Sequence, residues 1–135
     1  MHVSAAFQFR LDMKSGVPVY RQLIDQVLVA IAAGQLSAGD QLPTVRQLAV
    51  DLSINPNTVV RAYKELEIRG MLNTQQGTGT FITAKKVRTD EAQRQRRLSH
   101  MVGEFVAHVS AEGYTVEDIL ERLNELAGES GKRRV

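Results

Sequence analysis

The sequence predicts a mainly α-helical protein with one small β-hairpin. Apolar residues recur at helical spacing in five separate segments, and residue types that favour helix starts precede four of them. Between the third and fourth segments, two short β-prone runs flank a tip that contains glycine. The chain has 135 residues, which is enough for one ordinary domain and an appended segment.

The composition is that of a folded protein, with 43% hydrophobic residues, 24% charged residues and no cysteine. The lack of cysteine excludes disulfide scaffolds and cysteine-based metal or redox sites. No apolar run approaches the roughly 20 residues of a membrane span and no basic–apolar leader opens the chain, so we expect a cytoplasmic protein. His2, His100 and His108 lack metal-ligand spacing, and no nucleophile motif or phosphate loop is present. We therefore expect neither a cofactor nor enzymatic activity.

The net charge of +2 conceals an uneven distribution along the chain. Residues 1–84 carry seven Lys or Arg against six Asp or Glu, whereas residues 85–97 carry six against two. Residues 98–135 reverse the balance, with four against seven. The basic joint (residues 85–97) indicates a polyanionic partner. Its first two cations, Lys85 and Lys86, are candidates for phosphate contacts, and the alternative is a solvated helix face.

The first predicted elements are an arm and a helix. Alternating apolar residues over positions 7–11 predict a short strand or an extended arm. A helix is predicted over residues 18–33, with Pro18 in its first turn and Gly34 at its end. Its apolar stripe consists of Tyr20, Leu23, Ile24, Val27, Leu28 and Ile31.

A second, shorter helix follows a turn-rich connector over residues 34–43. Thr44 and Gln47 have the spacing of a capping box, so this helix is predicted to start at Thr44. Its apolar face consists of Val45, Leu48, Ala49 and Leu52. A tight turn at residues 53–54 separates it from the next helix.

The third helix is predicted from Asn55 to about Arg69, because Asn55 is a favoured N-cap and Pro56 suits a first helical turn. Its buried stripe is predicted to be Val59, Ala62, Tyr63 and Leu66. After this helix, β-prone runs at about residues 71–74 and 80–83 flank a Gln-Gly-Thr-Gly tip, which predicts a hairpin.

Two further helices are predicted after the hairpin. The fourth runs from about residue 88 to 111, and Thr115 with Asp118 caps the fifth. The last eight residues, 128–135, are predicted to be frayed. The two apolar stripes consist of Leu98, Met101, Val102, Phe105, Val106 and Val109 in the fourth helix, and Val116, Ile119, Leu120, Leu123 and Leu126 in the fifth.

Three helices with a tight turn between the second and third, followed by a hairpin, are the layout of a winged helix-turn-helix. A short turn lets the third helix project as a unit into the major groove of DNA. The exposed face of that helix is predicted to carry Asn57, Val60, Arg61 and Lys64. These side chains suit base edges and phosphates. The alternative is a small α+β domain whose cations are simply solvated, but the order of the elements favours DNA binding.

Three motifs at fixed separations carry a resemblance to a known family. They are LPTVRQLA, NTVVRAYKELE and GTGTF, and the stretch PVYRQL precedes them. Residues 8–84, which contain them all, resemble the GntR family of bacterial transcription regulators. The resemblance implies that these residues form a winged helix-turn-helix domain that binds double-stranded DNA.

The resemblance also implies roles for individual residues. Arg46 would contact the DNA backbone or a groove edge, the residues that open the third helix would contact bases and phosphates, and the hairpin tip would reach the minor groove. Many relatives carry arginine where this chain has Pro56 and Val60, so the two cations of the exposed face are candidates to compensate. The candidate DNA-binding residues are Thr44, Arg46, Asn55, Asn57, Thr58, Arg61, Lys64, Gln76, Gly77 and Thr78.

The last two helices predict dimerisation. The fourth helix would be roughly 36 Å long, and a second copy of the chain would cover an apolar stripe that a domain this small cannot. The alternative is that both helices fold back on the winged domain. Candidate dimer contacts are Leu98, Met101, Val102, Phe105, Val109, Ile119, Leu120 and Leu123. The tail resembles the YtrA-type subfamily, which implies a dimerisation segment over residues 88–127 and an association with transporter genes.

We therefore expect a homodimeric transcription regulator, a repressor that binds a palindromic operator, with a transporter operon as its candidate target. A small-molecule effector of unspecified identity is a further candidate partner, and no membrane partner is expected. The alternative is a winged helix that mediates protein–protein assembly without DNA. Salt-dependent binding to duplex DNA distinguishes the two functions.

Overall fold

The computed structural model of the protein describes residues 7–83 and 90–134. The chain divides into two compact units, Met1–Lys85 and Lys86–Val135. The first unit contains three helices and a small antiparallel sheet, and the second contains two helices. The fold is therefore mainly helical with a small β component, as predicted from the sequence.

The first unit follows the predicted order, with one addition. Its elements are α1 (Val19–Ala32), β1 (Gln41–Leu42), α2 (Val45–Leu52), α3 (Pro56–Ile68), β2 (Leu72–Gln75) and β3 (Gly79–Ile82). The sheet has the order β1-β3-β2, and both pairings are antiparallel. Strand β1 lies in the segment that was predicted to be a connector without regular structure. It forms because Gln41 and Leu42 pair with Phe81 and Thr80 of the hairpin.

The core of this unit lies between the three helices and the sheet. The predicted stripe of α3 is correct, since all four of its residues are buried. The apolar faces of α1 and α2 and one side of the sheet complete the core. Its largest fully buried side chains are Leu23, Ile24, Leu66, Val27 and Val59. Burial of such side chains fixes α3 against α1 and leaves the opposite face of α3 outside.

The arm before α1 has no regular secondary structure over residues 7–12, so it is not a strand. Phe9 enters the core, and its ring contacts Phe7 edge to face with 4.8 Å between the ring centroids. Two glutamines of α1 hold the arm by its backbone. The Gln26 side-chain amide accepts from the Arg10 backbone N–H at 2.8 Å and donates to its carbonyl. The Gln22 amide makes the same pair of bonds to Asp12, both at 2.9 Å.

The second unit is a pair of helices, α4 (Glu91–Ser110) and α5 (Val116–Arg134). Helix α4 has 20 residues and is therefore about 30 Å long, shorter than predicted. The predicted cap of α5 is correct, because Thr115 and Asp118 exchange bonds of 2.9 and 3.1 Å between their backbone N–H groups and side-chain oxygens. Donation from the Thr115 backbone is the main cause of the lowered pKa of Asp118. Helix α5 continues to Arg134, beyond the segment that ended at about residue 127 in the prediction.

Candidate nucleic-acid interface

The turn between α2 and α3 is short and is held by local hydrogen bonds. Ser53 ends α2 in the left-handed conformation, with φ of +55°, and the Ile54 N–H donates to the Ala49 carbonyl at 2.9 Å. The Asn55 side-chain oxygen then accepts from the Asn57 N–H at 2.8 Å and so caps α3. Because both helix ends are closed by local bonds, α3 leaves the turn in one defined direction.

The exposed face of α3 carries the residues predicted from its periodicity. Asn57, Val60, Arg61 and Lys64 are all exposed, whereas Thr58 between them is half-buried. This face combines one amide, one small apolar group and two cations. Such side chains can donate to phosphates and to base edges and can contact a thymine methyl group.

Arg61 does not extend freely into solvent. The Cζ atom of its guanidinium group lies 3.7 Å from the centroid of the Tyr20 ring on α1. This is the geometry of a cation–π stack, which restrains the side chain. The sequence assigned Tyr20 to the core stripe of α1, and the structure shows a half-buried residue whose ring is covered by Arg61. No local signal in the sequence could have found this contact.

Among the described residues, the cations of this surface have no carboxylate partner. Within residues 7–83 and 90–134, neither Arg46 nor Arg61 nor Lys64 forms an ion pair with a carboxylate. Other basic residues do form ion pairs with neighbours on the same helix: Arg21 with Asp25, Arg69 with Glu65, Arg94 with Glu91, and Arg122 with Glu125. An unpaired guanidinium or ammonium group keeps its charge and its donors available for phosphate.

The start of α2 supplies two more of the predicted residues. The Thr44 hydroxyl accepts from the Gln47 N–H at 3.1 Å, which confirms the predicted cap of α2. This bond commits the hydroxyl oxygen as an acceptor but leaves the O–H free to donate. Arg46, in the first turn of α2, is exposed.

The hairpin presents an exposed tip between paired strands. Gln75 pairs with Gly79, and the three residues between them, Gln76, Gly77 and Thr78, are exposed. The Thr78 N–H closes the turn by donating to the Gln75 carbonyl at 3.0 Å. Gly77 has φ of +80°, a conformation that a residue with a side chain rarely adopts.

Strand β1 supports this tip from one side. The Gln41 side-chain nitrogen donates to the Thr78 carbonyl at 3.3 Å. A Cβ at Gly79 would collide with the same Gln41 side chain, and Gly79 has φ of +137°. The backbone conformation therefore favours glycine here, and a side chain at this position would also displace the Gln41 amide. The sequence marked Gly79 as part of a turn but gave no sign of Gln41.

Nine of the ten candidate DNA-binding residues are exposed and Thr58 is half-buried, and all ten belong to the first unit. They come from the start of α2, the outer face and start of α3, and the hairpin tip. The basic-joint residues Lys85, Lys86 and Arg88 lie outside the described residues. Arg94 of the same joint forms an ion pair with Glu91 at 3.7 Å.

The second unit exposes the apolar face that was predicted for dimerisation. Phe105 of α4 is 52% exposed and Leu123 of α5 is 50% exposed. Val109 and Ile119 are half-buried, and together these four residues line an open groove between the two helices. Exposed apolar residues in such a continuous row are typical of a surface that another protein surface covers.

Metal-binding and membrane-spanning features are not found in the described part of the chain. No cluster of three His, Asp or Glu residues within it could hold a metal ion. None of its helices combines the length and hydropathy needed to cross a bilayer.

Comparison with known proteins identifies similar sequences. The family described as "Bacterial regulatory proteins, gntR family" matches residues 19–82. The chain is 32% identical over 120 residues to the HTH-type transcriptional repressor YtrA of Bacillus subtilis (strain 168), covering 89% of this chain and 92% of that protein. It is 37% identical over 112 residues to the uncharacterized HTH-type transcriptional regulator YhcF of the same organism, covering 83% and 92%.

Solved structures are similar as well. A transcriptional regulator from Oenococcus oeni has 38% identity and a TM-score of 0.55, covering 89% of this chain and 98% of that one. YtrA from Sulfolobus acidocaldarius, a GntR-family transcription factor, has 29% identity and a TM-score of 0.56, covering 73% and 97%.

Proposed function

The chain belongs to the GntR family of bacterial transcription regulators, and we propose from this membership that it is a repressor that binds a palindromic operator as a homodimer. The observation that carries the proposal is the outer face of α3, whose cations lack carboxylate partners within the described residues. The similarity to a protein named as a repressor supports repression. The resemblance to the YtrA-type subfamily extends the proposal to a transporter operon.

In this proposal residues 8–84 bind DNA, and each of their elements has its own role. Helix α3 enters the major groove, where Asn57 contacts base edges while Arg61 and Lys64 contact phosphates or guanine. At the start of α2, Arg46 and Thr44 donate hydrogen bonds to the DNA backbone. The hairpin tip, residues 76–78, reaches the minor groove, where a tip with one small glycine has little bulk to clash.

Residues 88–127 form the dimer in this proposal. The exposed apolar faces of α4 and α5 supply a surface that a second copy of the same segment covers around a two-fold axis. Two copies of α3, about 34–36 Å apart, would then match the two halves of a palindromic operator. Such a regulator acts in the cytoplasm. A small-molecule effector would release it only if the effector binds the free protein more tightly than the operator-bound protein.

The test is binding to duplex DNA over a range of salt concentrations. Labelled duplexes that tile the region upstream of the gene are titrated with the full chain, and fluorescence anisotropy reports binding. A protein that makes 6–10 phosphate contacts should lose about 10³–10⁵ in affinity between roughly 50 and 200 mM salt. Absence of binding to every duplex at the lowest salt would contradict DNA binding and favour a protein–protein assembly module.

Two matched variants show whether α3 makes the contacts. Lys64→Ala removes an unpaired cation, and we expect the slope of log affinity against log salt to fall by about one. Arg69→Ala removes a cation at the far end of α3 that is already paired with Glu65, 3.6 Å away, and we expect the slope to stay unchanged. Equal effects of the two variants would place the contacts elsewhere.

A further inference from the structure

The contact between Tyr20 and Arg61 joins the first turn of α1 to the outer face of α3. We propose that Tyr20 is a positioning residue for DNA recognition: its ring holds the Arg61 guanidinium in an orientation from which the N–H groups can donate to DNA. This inference rests on the proposed DNA-binding function and adds a residue that lies outside α3, the helix proposed to enter the major groove.

The stack restrains Arg61 without using its donors. The Cζ atom lies 3.7 Å from the ring centroid, so the flat face of the guanidinium covers the ring. The five N–H groups of a guanidinium point outward in its own plane and stay available when the face is stacked. Arg61 forms neither an ion pair nor a side-chain hydrogen bond with any described residue. Its donors are therefore left for a ligand outside the protein.

The ring of Tyr20, rather than its hydroxyl group, makes this contact. Tyr20 is half-buried and packs against the core from the first turn of α1. Within the described residues its hydroxyl makes no hydrogen bond. Because the ring is fixed by packing, it is a stable support for a long side chain that would otherwise sample many rotamers. Phenylalanine should therefore serve as well as tyrosine at this position.

The expected contribution to affinity is modest but measurable. A stack at a partly exposed site, together with the restricted rotamers, corresponds to about a two- to fivefold change in affinity for the ligand of the arginine. The sign of the change separates two roles. A ring that orients Arg61 raises affinity for DNA, whereas a ring that withdraws Arg61 from DNA lowers it.

The experiment is a double-mutant cycle on the full chain. The probe is a fluorescein-labelled duplex of about 30 base pairs, selected by the wild-type protein from a random pool. We expect Tyr20→Leu to weaken binding about two- to fivefold with an unchanged salt slope, since the charge is retained. We expect Arg61→Ala to weaken binding and to lower the slope by about one. In the Arg61→Ala background, Tyr20→Leu should have no further effect.

Two conservative variants complete the cycle. Tyr20→Phe should bind as tightly as wild type, because the ring face is kept. Arg61→Lys should weaken binding at an unchanged salt slope, because an ammonium keeps the charge but lacks the planar face. In the free wild-type protein, the Arg61 side-chain protons should show upfield ring-current shifts by NMR, and these shifts should persist in Tyr20→Phe.

The inference is overturned if Tyr20→Leu binds as tightly as wild type or tighter, or if its effect is the same in the Arg61→Ala background. Should Tyr20→Leu fail to fold, wild-type affinity of Arg61→Lys or absence of the ring-current shifts overturns it equally. Failure of the wild-type protein to bind any duplex instead contradicts the proposed function as a whole.

Discussion

The hydroxyl group of Tyr63, in the middle of α3, donates a 2.8 Å hydrogen bond to the backbone carbonyl of Pro43. Pro43 directly precedes the residue that caps α2, so this bond joins the start of α2 to α3. Tyr63 is 4% exposed, and burial raises the pKa of its hydroxyl group above the ordinary value. The bond therefore belongs to the neutral, protonated tyrosine and fixes the geometry of the helix-turn-helix.

Removal of this bond should destabilise the fold without opening a cavity. We expect Tyr63→Phe to lower the free energy of unfolding by about 1 kcal/mol at neutral pH, the value of a typical partly buried hydrogen bond. Urea denaturation followed by circular dichroism measures the difference. Tyr114→Phe is the matched control, because Tyr114 is 57% exposed, and it should unfold like wild type. Equal stabilities of wild type and Tyr63→Phe would show that the bond contributes nothing.

The raised pKa of Tyr63 also predicts an alkaline limit to stability. The pKa of tyrosine in the unfolded chain is about 10 and that of Tyr63 in the folded chain is higher. The neutral Tyr63 side chain thus makes its full contribution to the free energy of unfolding below about pH 10. This contribution is lost as the pH rises towards the pKa of Tyr63 in the folded chain, at up to about 1.4 kcal/mol per pH unit. Unfolding curves above pH 10 should show wild type losing its advantage over Tyr63→Phe. A constant difference between them at all pH values would contradict this linkage.

Two substitutions should separate positioning contacts from base contacts. We expect Arg46→Ala to weaken binding to all duplexes by a similar factor, because a contact to the DNA backbone carries no sequence information. We expect Asn57→Ala to change preference by about 1–3 kcal/mol at the base pair that it reads. Binding to single-base-pair variants of a selected duplex measures both. An unchanged preference in Asn57→Ala would mean that another face of α3 meets the bases.

The proposed dimer interface on α4 and α5 predicts that a charged substitution in it changes the oligomeric state. Phe105→Asp places a carboxylate in the proposed dimer interface, where burial of an unpaired charge costs several kcal/mol. We expect monomers by sedimentation velocity at concentrations where wild type is dimeric. Ala107→Asp adds the same charge to the same helix about 160° away from Phe105, and it should leave the dimer intact. An intact dimer in Phe105→Asp would favour another interface.

The geometry of the hairpin predicts unequal effects of substitutions at its two glycines, Gly77 and Gly79. At Gly79 an alanine meets both an unfavourable φ of +137° and the Gln41 side chain, whereas at Gly77 it meets open space at φ of +80°. We expect Gly79→Ala to lower the free energy of unfolding by about 1–3 kcal/mol and Gly77→Ala by about 1 kcal/mol. Addition of Gln41→Ala should restore part of the loss at Gly79 and none at Gly77. Urea denaturation of all four variants and wild type checks this, and equal losses at the two glycines would contradict it.

The elements that could be predicted from the sequence are those set by local interactions. The caps at Thr44 and Asn55 join residues two or three positions apart, so their signals lie within one short window. The buried stripe of α3 follows equally from helical spacing. The roles of the candidate DNA contacts remain predictions, because exposure alone does not show which side chains meet a base.

The features that escaped prediction depend on residues far apart in the chain. Strand β1 has two residues, too few to show any periodicity, and it exists only because β3 lies beside it. The stack of Arg61 on Tyr20 and the hydrogen bond from Gln41 to Thr78 of the hairpin tip likewise arise from tertiary packing. The same holds for the hydrogen bonds by which Gln22 and Gln26 hold the backbone of the arm, since polar residues beside an apolar stripe are normally solvated.

Those hydrogen bonds have a consequence for how the arm can be altered. Gln26 binds only main-chain atoms of Arg10, so this contact does not depend on the Arg10 side chain. Most replacements of Arg10 would leave the arm in place, because Phe9 is buried in the core and Gln22 holds Asp12. Proline is the exception, because it has no N–H to donate to Gln26. The side chain at position 10 can thus be exchanged without loss of the contact between the arm and Gln26, provided that the backbone N–H is kept.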